Sequence, residues 1–343
     1  MQEEISYETD FEEERERDSF KEISKRILKC FTQNLKFLFI PASRLDDLTL
    51  RETEYEMTKS KRKFITRLKS VLTITGIVLV FFIATLAVFP HWLSAYTFDE
   101  VIGLYSNDWE APNALHPLGT TSFGRDVLAR LIFGARTSLT VALPAIAMNV
   151  IFGVMIGIIA AYYGGWVDAV IMRIMDILMA FPALILALVF VSVLSEAFNT
   201  GPQIEYIMLA WGILGIPYYS RLIRGNVLQA KELPYIQAAR VSGAGNARIM
   251  FKHILPNVIQ PIIISVTFDI GGIILSLAGL SFLGFSDVRM VDWGNEISLG
   301  REFLYVAPWA SLWPGLFILL AVLGFMLLGD GIRDALDPRL KNL

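Results

Sequence analysis

The sequence predicts an all-α membrane protein with six transmembrane helices. Hydrophobic residues make up 54% of the 343 residues and charged residues only 18%, whereas soluble domains are about a quarter charged. The apolar residues are concentrated in runs that carry almost no charge and are long enough for a helix to cross about 30 Å of hydrocarbon. The net charge of −3 gives no general attraction for nucleic acid.

Each predicted span is an apolar run bounded by charged or turn-forming residues. The six runs are 71–89, 138–163, 177–194, 206–223, 258–285 and 305–329. In the third run, Pro182 predicts either a gating hinge or a static kink, because proline frees a backbone carbonyl and bends the helix axis. In the second run, Gly153 and Gly157 favour close packing of another helix. Residues 127–132, before the second run, have the spacing of a short surface helix.

Lysine and arginine counts predict the orientation. With a cytoplasmic amino terminus, the segments that flank the helices on the inside carry 16 basic residues, and the outside loops carry five. Basic residues near the ends of spans favour the cytoplasmic side. The sequence therefore predicts a multi-pass protein of a prokaryotic cytoplasmic membrane, with both termini in the cytoplasm.

Residues 1–58 form a predicted cytoplasmic extension. The first 18 residues contain nine acids and no apolar segment, so we expect no cleavable signal peptide. Residues 20–40 repeat apolar positions at helical spacing with lysines between them. This amphipathic helix fits a headgroup layer or a partner subunit, and the sequence leaves both open. The lone cysteine, Cys30, allows no internal disulfide.

The chain carries no recognisable catalytic or cofactor chemistry. It has no Gly-x-x-x-x-Gly-Lys-Ser/Thr phosphate loop. Its three histidines lie in separate loops without metal-ligand spacing. We therefore expect neither an enzyme nor a bound metal or cofactor on this chain.

A polar island at 237–256 separates two apolar runs. Small residues, a glycine turn and a proline give it the pattern of a short helix, a turn and a return to the membrane. Such an element suits docking by a cytoplasmic motor better than a plain connection between two helices. The candidate docking residues are Gln237, Ala238, Ala239, Arg240, Gly243, Ala244, His253, Leu255 and Pro256.

One carboxylate, Asp269, falls inside the fifth predicted span. A charge at that depth costs a few kcal/mol, so it should face a polar partner or water. Two interpretations stay open: Asp269 lines a solute path and holds a cargo amino group, or it is a hydrogen-bonded structural carboxylate. The long outer loop, 91–136, is rich in glycine and proline and favours a contact surface over a plain connector.

Several motifs carry a family resemblance. The island resembles the EAA loop of importer-type ABC permeases. Further matching segments resemble the second permease of dipeptide and oligopeptide ABC importers, and together they cover about residues 67–341. They are His116-Pro117-Leu118-Gly119-Thr120, Gly124-Arg125-Asp126, 134–139, 281–284, Trp293-Gly294 and the tail 329–339.

The resemblance implies a type I ABC importer permease fold and a set of partners. These are a second homologous permease, two cytoplasmic ATPases that bind ATP and Mg²⁺, and an extracytoplasmic peptide-binding protein. It implies that 229–256 is the coupling loop within a permease core at 137–332, after a first helix and outer loop at 59–136 and before a tail at 333–343. The residues it marks for contact with the binding protein are Gly124, Arg125, Asp126 and Trp293.

The sequence departs from the family pattern at two places, and it leaves open other cargoes and one other class of transporter. The usual glutamate of the loop is Gln237 here, which replaces a possible salt bridge with a hydrogen bond. The segment 286–292 lacks the prolines often found before Trp293. The family also includes nickel, glutathione and sugar importers. A stand-alone secondary transporter is the alternative from another class, although no clear internal repeat supports it.

Overall fold

The computed structural model describes residues 70–103, 108–286 and 290–336. Within these ranges every regular element is helical, and the one extended pairing is an isolated bridge between Thr120 and Asp126. The all-α prediction is confirmed. The predicted extension 1–58, with its amphipathic helix 20–40, lies outside the described residues, as does the end of the tail motif.

The chain forms helices of very different lengths. The first half contains α1 (Val71–Val88), α2 (Pro90–Leu93), α3 (Phe98–Ile102), α4 (Val127–Tyr163), α5 (Gly165–Met179), α6 (Ala183–Ala197) and α7 (Ile204–Leu214). The second half contains α8 (Ile216–Ala230), α9 (Pro234–Val241), α10 (Asn246–Arg248), α11 (Leu255–Val258), α12 (Gln260–Phe282), α13 (Trp293–Gly300) and α14 (Trp309–Leu336). A π-helical turn, Ile249–Ile254, joins α10 to α11.

Four of these helices are long and apolar enough to cross a membrane: α1, α4, α12 and α14. They correspond to the first, second, fifth and sixth predicted spans. The third predicted span lies on α5 and α6, which count as a fifth span only if the bent pair crosses as one. The fourth falls on α7 and α8, two shorter helices that meet at Gly215.

The sequence placed Pro182 inside a continuous helix, and this prediction was wrong. Pro182 lies between α5 and α6. The two helices meet at an angle of 88°. Proline lacks a backbone N–H and disfavours helical geometry in the residue before it, so the chain turns here. The interruption is therefore a sharp corner.

The predicted surface helix at 127–132 is the beginning of α4. Asp126 starts this helix, because its side chain accepts a hydrogen bond from the Ala129 backbone N–H at 2.7 Å. From there the helix continues for 37 residues and passes through Pro144. The prediction of a separate helix was wrong because the helix continues through Gly134 and ends only at Gly164.

Glycines set the closest helix contacts. A Cβ at Gly157 would lie 2.3 Å from both the Ser220 carbonyl oxygen and Ile223 Cγ2, and one at Gly153 would lie 2.5 Å from Tyr219 Cβ. The predicted packing role of this pair is confirmed: it brings α4 against α8. Gly76 does the same for α1 and α14, where a Cβ would lie 2.6 Å from the Leu328 nitrogen.

Hydrogen bonds between distant segments show which loops lie at the same end of the helices. Tyr162 at the end of α4 donates to Asn246, and Gln260 donates to the Leu336 carbonyl at the end of α14. Trp309 at the start of α14 donates to the Thr120 carbonyl. Among the described residues, the island and the start of α12 are therefore joined by hydrogen bonds to the carboxyl ends of α4 and α14, and the outer loop lies at the start of α4 and α14.

The contact between α4 and α8 predicts a contrast between two glycines. Gly157→Ala is expected to destabilise the protein by about 1–3 kcal/mol, because the added methyl group meets backbone that cannot move away. Gly225→Ala is the matched control, since a Cβ there meets nothing within 4 Å. The alanine should stabilise α8 by up to about 1 kcal/mol.

Thermal unfolding of the purified protein, followed by size-exclusion chromatography, measures both variants. Equal midpoints for Gly157→Ala and Gly225→Ala would contradict the close approach of α4 and α8.

Candidate functional site

The polar island forms a short helix, a turn and a wide helical turn. Its helix, α9, starts before Gln237, and Pro234 occupies the first position of α9, where the missing N–H has no helical partner to lose. The π-helical turn Ile249–Ile254 ends two residues before Pro256, which cannot donate a backbone hydrogen bond. Wide turns of this kind are frequent at functional sites.

A glycine in a left-handed conformation ends α9. Gly243 has φ of +79°, and its N–H donates to the Arg240 carbonyl at 3.1 Å. The Ala244 N–H donates to the Ala239 carbonyl at 3.0 Å. These two bonds form a Schellman motif, which satisfies carbonyls that a helix end leaves open. The turn therefore has one defined geometry.

The island is fixed to the bundle by buried side chains and hydrogen bonds. Ile236, Ile249 and Ile254 are fully buried. The Tyr162 hydroxyl donates to Asn246 Oδ1 at 2.9 Å, and Lys231 Nζ donates to the Ala161 carbonyl at 3.2 Å. Both bonds reach the carboxyl end of α4, so a displacement of the island must also act on α4.

The opposite side of the island is open. Gln237, Ala238, Arg240, Gly243 and Pro256 are exposed, and Ala239, Ala244, His253 and Leu255 are half-buried. Gln237 Nε2 donates to the Glu232 carbonyl at 3.2 Å, so this side chain binds the backbone just before α9.

Apolar side chains also lie on the open surface of the island. Val241 is 90% exposed, and Leu233, Tyr235 and Phe251 are exposed as well. Apolar residues grouped on a surface commonly mark a protein contact.

Two ion pairs connect α8, which leads into the island, to α5. Arg224 binds the Asp168 carboxylate with two hydrogen bonds of 2.6 Å, and Arg221 pairs with Asp176. Paired hydrogen bonds of this type fix direction as well as distance. The position of α5, and of the corner that follows it, is therefore set by α8.

Asp269 lies on α12 and is half-buried. Its Oδ2 accepts a hydrogen bond of 2.6 Å from the Tyr219 hydroxyl on α8, and no hydrogen bond to Oδ1 or cationic partner occurs in the described ranges. The carboxylate lines a cavity of about 270 Å³, to which Tyr218, Gly272 and Ser276 also contribute. The sequence predicted Asp269 but not Tyr219.

Asn149 holds the wall of this cavity. With its amide nitrogen turned toward α7, it donates to the Trp211 and Gly212 carbonyls at 3.1 and 2.6 Å. A Cβ at Gly215 would lie 2.2–2.7 Å from the Asn149 amide atoms, so only glycine fits at this break. Asn149 thus adds a hydrogen bond to two carbonyls in the last turn of α7.

The four residues marked for contact with a binding protein are all buried. Asp126 caps α4 and lies 3.0 Å from His116 Nδ1, and Arg125 Nε donates to the Gly103 carbonyl at 2.8 Å. Trp293 donates to the Leu131 carbonyl at 3.0 Å, and Gly124 lies next to Arg125 with φ of +66°. These residues fix the outer loop against the bundle, and their contact with a partner stays a prediction.

A buried ion pair that sequence reasoning missed joins the same region. Arg130 on α4 pairs with Glu296 on α13, and its Nη1 donates to the Val101 carbonyl at 2.7 Å. The paired residues are 166 positions apart, so spacing gave no signal. Next to them, burial raises the pKa of the Asp292 carboxyl to about 6, and the Glu296 charge acts in the same direction.

Residues 153–342 match the family described as "Binding-protein-dependent transport system inner membrane component". The chain belongs to this family. The match covers the cavity wall on α8 and α12, the island, and the ion-pair partner Glu296. The protein is therefore an inner-membrane transport component, as the sequence resemblance implied.

Relatives of known name agree with this assignment. The dipeptide transport system permease protein DppC of Alkalihalophilus pseudofirmus is 40% identical over 85% of this chain and 94% of its own length. The glutathione transport system permease protein GsiD of Pectobacterium atrosepticum is 38% identical over 77% of this chain and 85% of its own length.

The fold also has a solved counterpart. The MetNI methionine ABC transporter in an inward-facing conformation matches with a TM-score of 0.52 and 16% identity, over 61% of this chain and 97% of the other. The fold predicted from the sequence, that of an ABC importer permease, is confirmed.

The buried ion pair predicts a rescue experiment. Glu296→Gln is expected to destabilise the protein by about 3–5 kcal/mol, because Arg130 then stays buried without a balancing charge. The double variant Arg130→Met, Glu296→Leu removes both charges and should recover most of that loss.

Thermal unfolding of the two variants checks the rescue. A double variant no more stable than Glu296→Gln would show that the charges do not compensate each other.

Proposed function

We propose that this chain is one permease subunit of an ATP-driven importer that moves di- and oligopeptides across the cytoplasmic membrane of a prokaryote. Residues 229–256, which contain the island, are its coupling loop, and both termini face the cytoplasm. One observation carries the proposal: α9 exposes small and apolar residues on one side, while Ile236 on its other side is fully buried. A partner protein can bind the exposed side of such a helix, and the buried side can transmit force to the bundle without unfolding.

ATP and Mg²⁺ would be bound by two partner ATPases, because this chain has no phosphate loop. When the ATPases close on ATP, each coupling loop moves with its ATPase. The loop is joined to α4 through Tyr162 and Lys231 and continues into α8, so the helices move as a body. The cavity between this chain and a second, homologous permease then changes its open side.

The partner on the other side would be an extracytoplasmic peptide-binding protein. Hydrogen bonds of Asp126, Arg125 and Trp293 fix the conformation of the outer loop. The binding protein would dock on the surface around these buried residues. Basic residues are three times more numerous on the opposite side, which supports this orientation.

Peptides are the cargo that the relatives support best. The relative named for dipeptide transport covers 85% of this chain, and relatives named for glutathione transport cover somewhat less. Glutathione is therefore the second candidate cargo, and nickel or oligosaccharides follow from the family alone. A stand-alone secondary transporter would need no exposed coupling helix, which argues against that class.

Cross-linking tests the coupling loop directly. In a Cys30→Ser background, a cysteine at the exposed Ala238 is expected to cross-link to an ATPase subunit in native membranes. Tyr305→Cys is the matched control, because Tyr305 is 104% exposed and precedes α14, near the opposite end of the bundle.

The expected result is a cross-link for position 238 only, detected by gel shift and mass spectrometry. Cross-linking to an ATPase from position 305 instead would place the coupling loop on the wrong side of the membrane.

Two glycines in the loop make a second matched pair. Gly243→Ala forces an alanine into a left-handed conformation at about 1–2 kcal/mol, and that strain corresponds to roughly a 5–30-fold loss of the correct turn. Gly245 has φ of −67° and open space around it, so Gly245→Ala should behave as wild type.

ATP-driven peptide uptake in proteoliposomes is the measurement, with assembly checked by co-purification. Gly243→Ala should lower uptake while the complex still forms. Equal uptake by the two variants would show that coupling does not depend on the turn geometry at Gly243.

A further inference from the structure

The Asp269 carboxyl group lies beside the cavity with one of its two oxygens in a hydrogen bond. Tyr219 occupies one carboxylate oxygen, while Oδ1 forms no hydrogen bond and Asp269 has no ion-pair partner in the described ranges. A carboxylate at membrane depth costs a few kcal/mol unless something favourable faces it. In contrast, the buried Glu296 has an ion-pair partner, Arg130.

The carboxylate is held in a fixed position. Tyr219 is buried and is seated against Gly153, where a Cβ would lie 2.5 Å from Tyr219 Cβ. One turn before Asp269 on the same helix, Ser265 Oγ lies 3.2 Å from the Tyr218 hydroxyl. Two neighbouring tyrosines of α8 therefore hold the same face of α12, and the orientation of the free oxygen is set before any ligand arrives.

The space in front of the carboxylate is small and partly aromatic. Its volume of about 270 Å³ lies just below the range of about 300–1,000 Å³ for pockets that enclose a whole small ligand. Gly272, one turn after Asp269, contributes no side chain, and a Cβ there would meet nothing within 4 Å. The cavity thus accepts the end of a longer molecule.

We propose that Asp269, held by Tyr219, binds the free amino terminus of the transported peptide in this cavity. A primary ammonium group can donate a charge-assisted hydrogen bond to Oδ1 and balance the charge. The exposed ring of Tyr218 adds a face that attracts cations. The amino terminus is the cationic group that all unblocked peptides share, so this site suits cargo of varied sequence. The inference depends on peptides being the cargo.

Protection of an introduced cysteine tests the site without ATP. In the Cys30→Ser background, Ser276→Cys places a thiol in the cavity wall of the complex isolated with its partner subunits. Alanyl-alanine at millimolar concentration should slow maleimide labelling of this thiol, whereas N-acetyl-alanyl-alanine should not. N-acetyl-lysyl-alanine, whose one ammonium group is on the side chain, should protect weakly.

Variants assign the effect to the carboxylate. Asp269→Asn should reduce protection by alanyl-alanine about tenfold or more, because a hydrogen bond to a charged group is lost. Gly272→Val should reduce it by filling the cavity while leaving the Tyr219 bond in place. Tyr305→Cys, which lies outside the cavity, should label at the same rate with and without peptide.

Three results would overturn the inference: equal protection by free and N-acetylated dipeptide, protection by N-acetyl-lysyl-alanine as strong as by alanyl-alanine, or protection that survives Asp269→Asn. ATP-driven uptake by the wild-type complex separates this failure from that of the proposed function. If the complex takes up dipeptides but any of these three results is obtained, only the proposal that Asp269 binds the amino terminus of the peptide is wrong. If no peptide is taken up, the peptide importer itself is wrong.

Discussion

The contact between α4 and α8 determines the rest of the structure. Gly153 and Gly157 let the backbones approach so closely that a single methyl group would collide with Ser220 or Tyr219. In lipid, helices gain no hydrophobic energy from leaving the solvent, so close packing of small residues has to supply the attraction. The same contact places Tyr219 beside Asp269 and brings the end of α8 to the end of α4, where the polar island is attached.

Two acidic residues, Glu296 and Asp269, differ in the partners that the fold gives them. Glu296 is paired with Arg130, and removing either partner would leave a buried charge. Asp269 has one hydrogen-bond donor and one oxygen without a hydrogen bond, beside a cavity. The sequence places Asp269 inside an apolar run and Glu296 between two runs, but it indicates a partner for neither. Their three-dimensional neighbours distinguish them.

Local patterns were predictable from the sequence, and long-range pairings were not. The island followed from Pro234, the glycine turn and Pro256, because turn chemistry acts over a few residues. The helix pairing by Gly153 and Gly157 followed from their spacing. The partners Tyr219 and Asp269 are 50 positions apart, and Arg130 and Glu296 are 166 apart. Hydropathy also treated 177–194 and 206–223 as single spans, because it does not detect the corner at Pro182 or the break at Gly215.

Each of the two helix breaks lies at or near a proline, Pro182 and Pro217, which has no backbone N–H to donate. Gly215 separates α7 from α8, and Tyr219 lies one turn beyond it on the same helix that leads into the island. In the proposed mechanism, a force on the island acts on α8 and would shift Tyr219 relative to Asp269 on α12. Because the Tyr219–Asp269 hydrogen bond is short and directional, a small rotation of α8 is sufficient to change it. The helix that receives the motion is thus the one that orients the carboxylate.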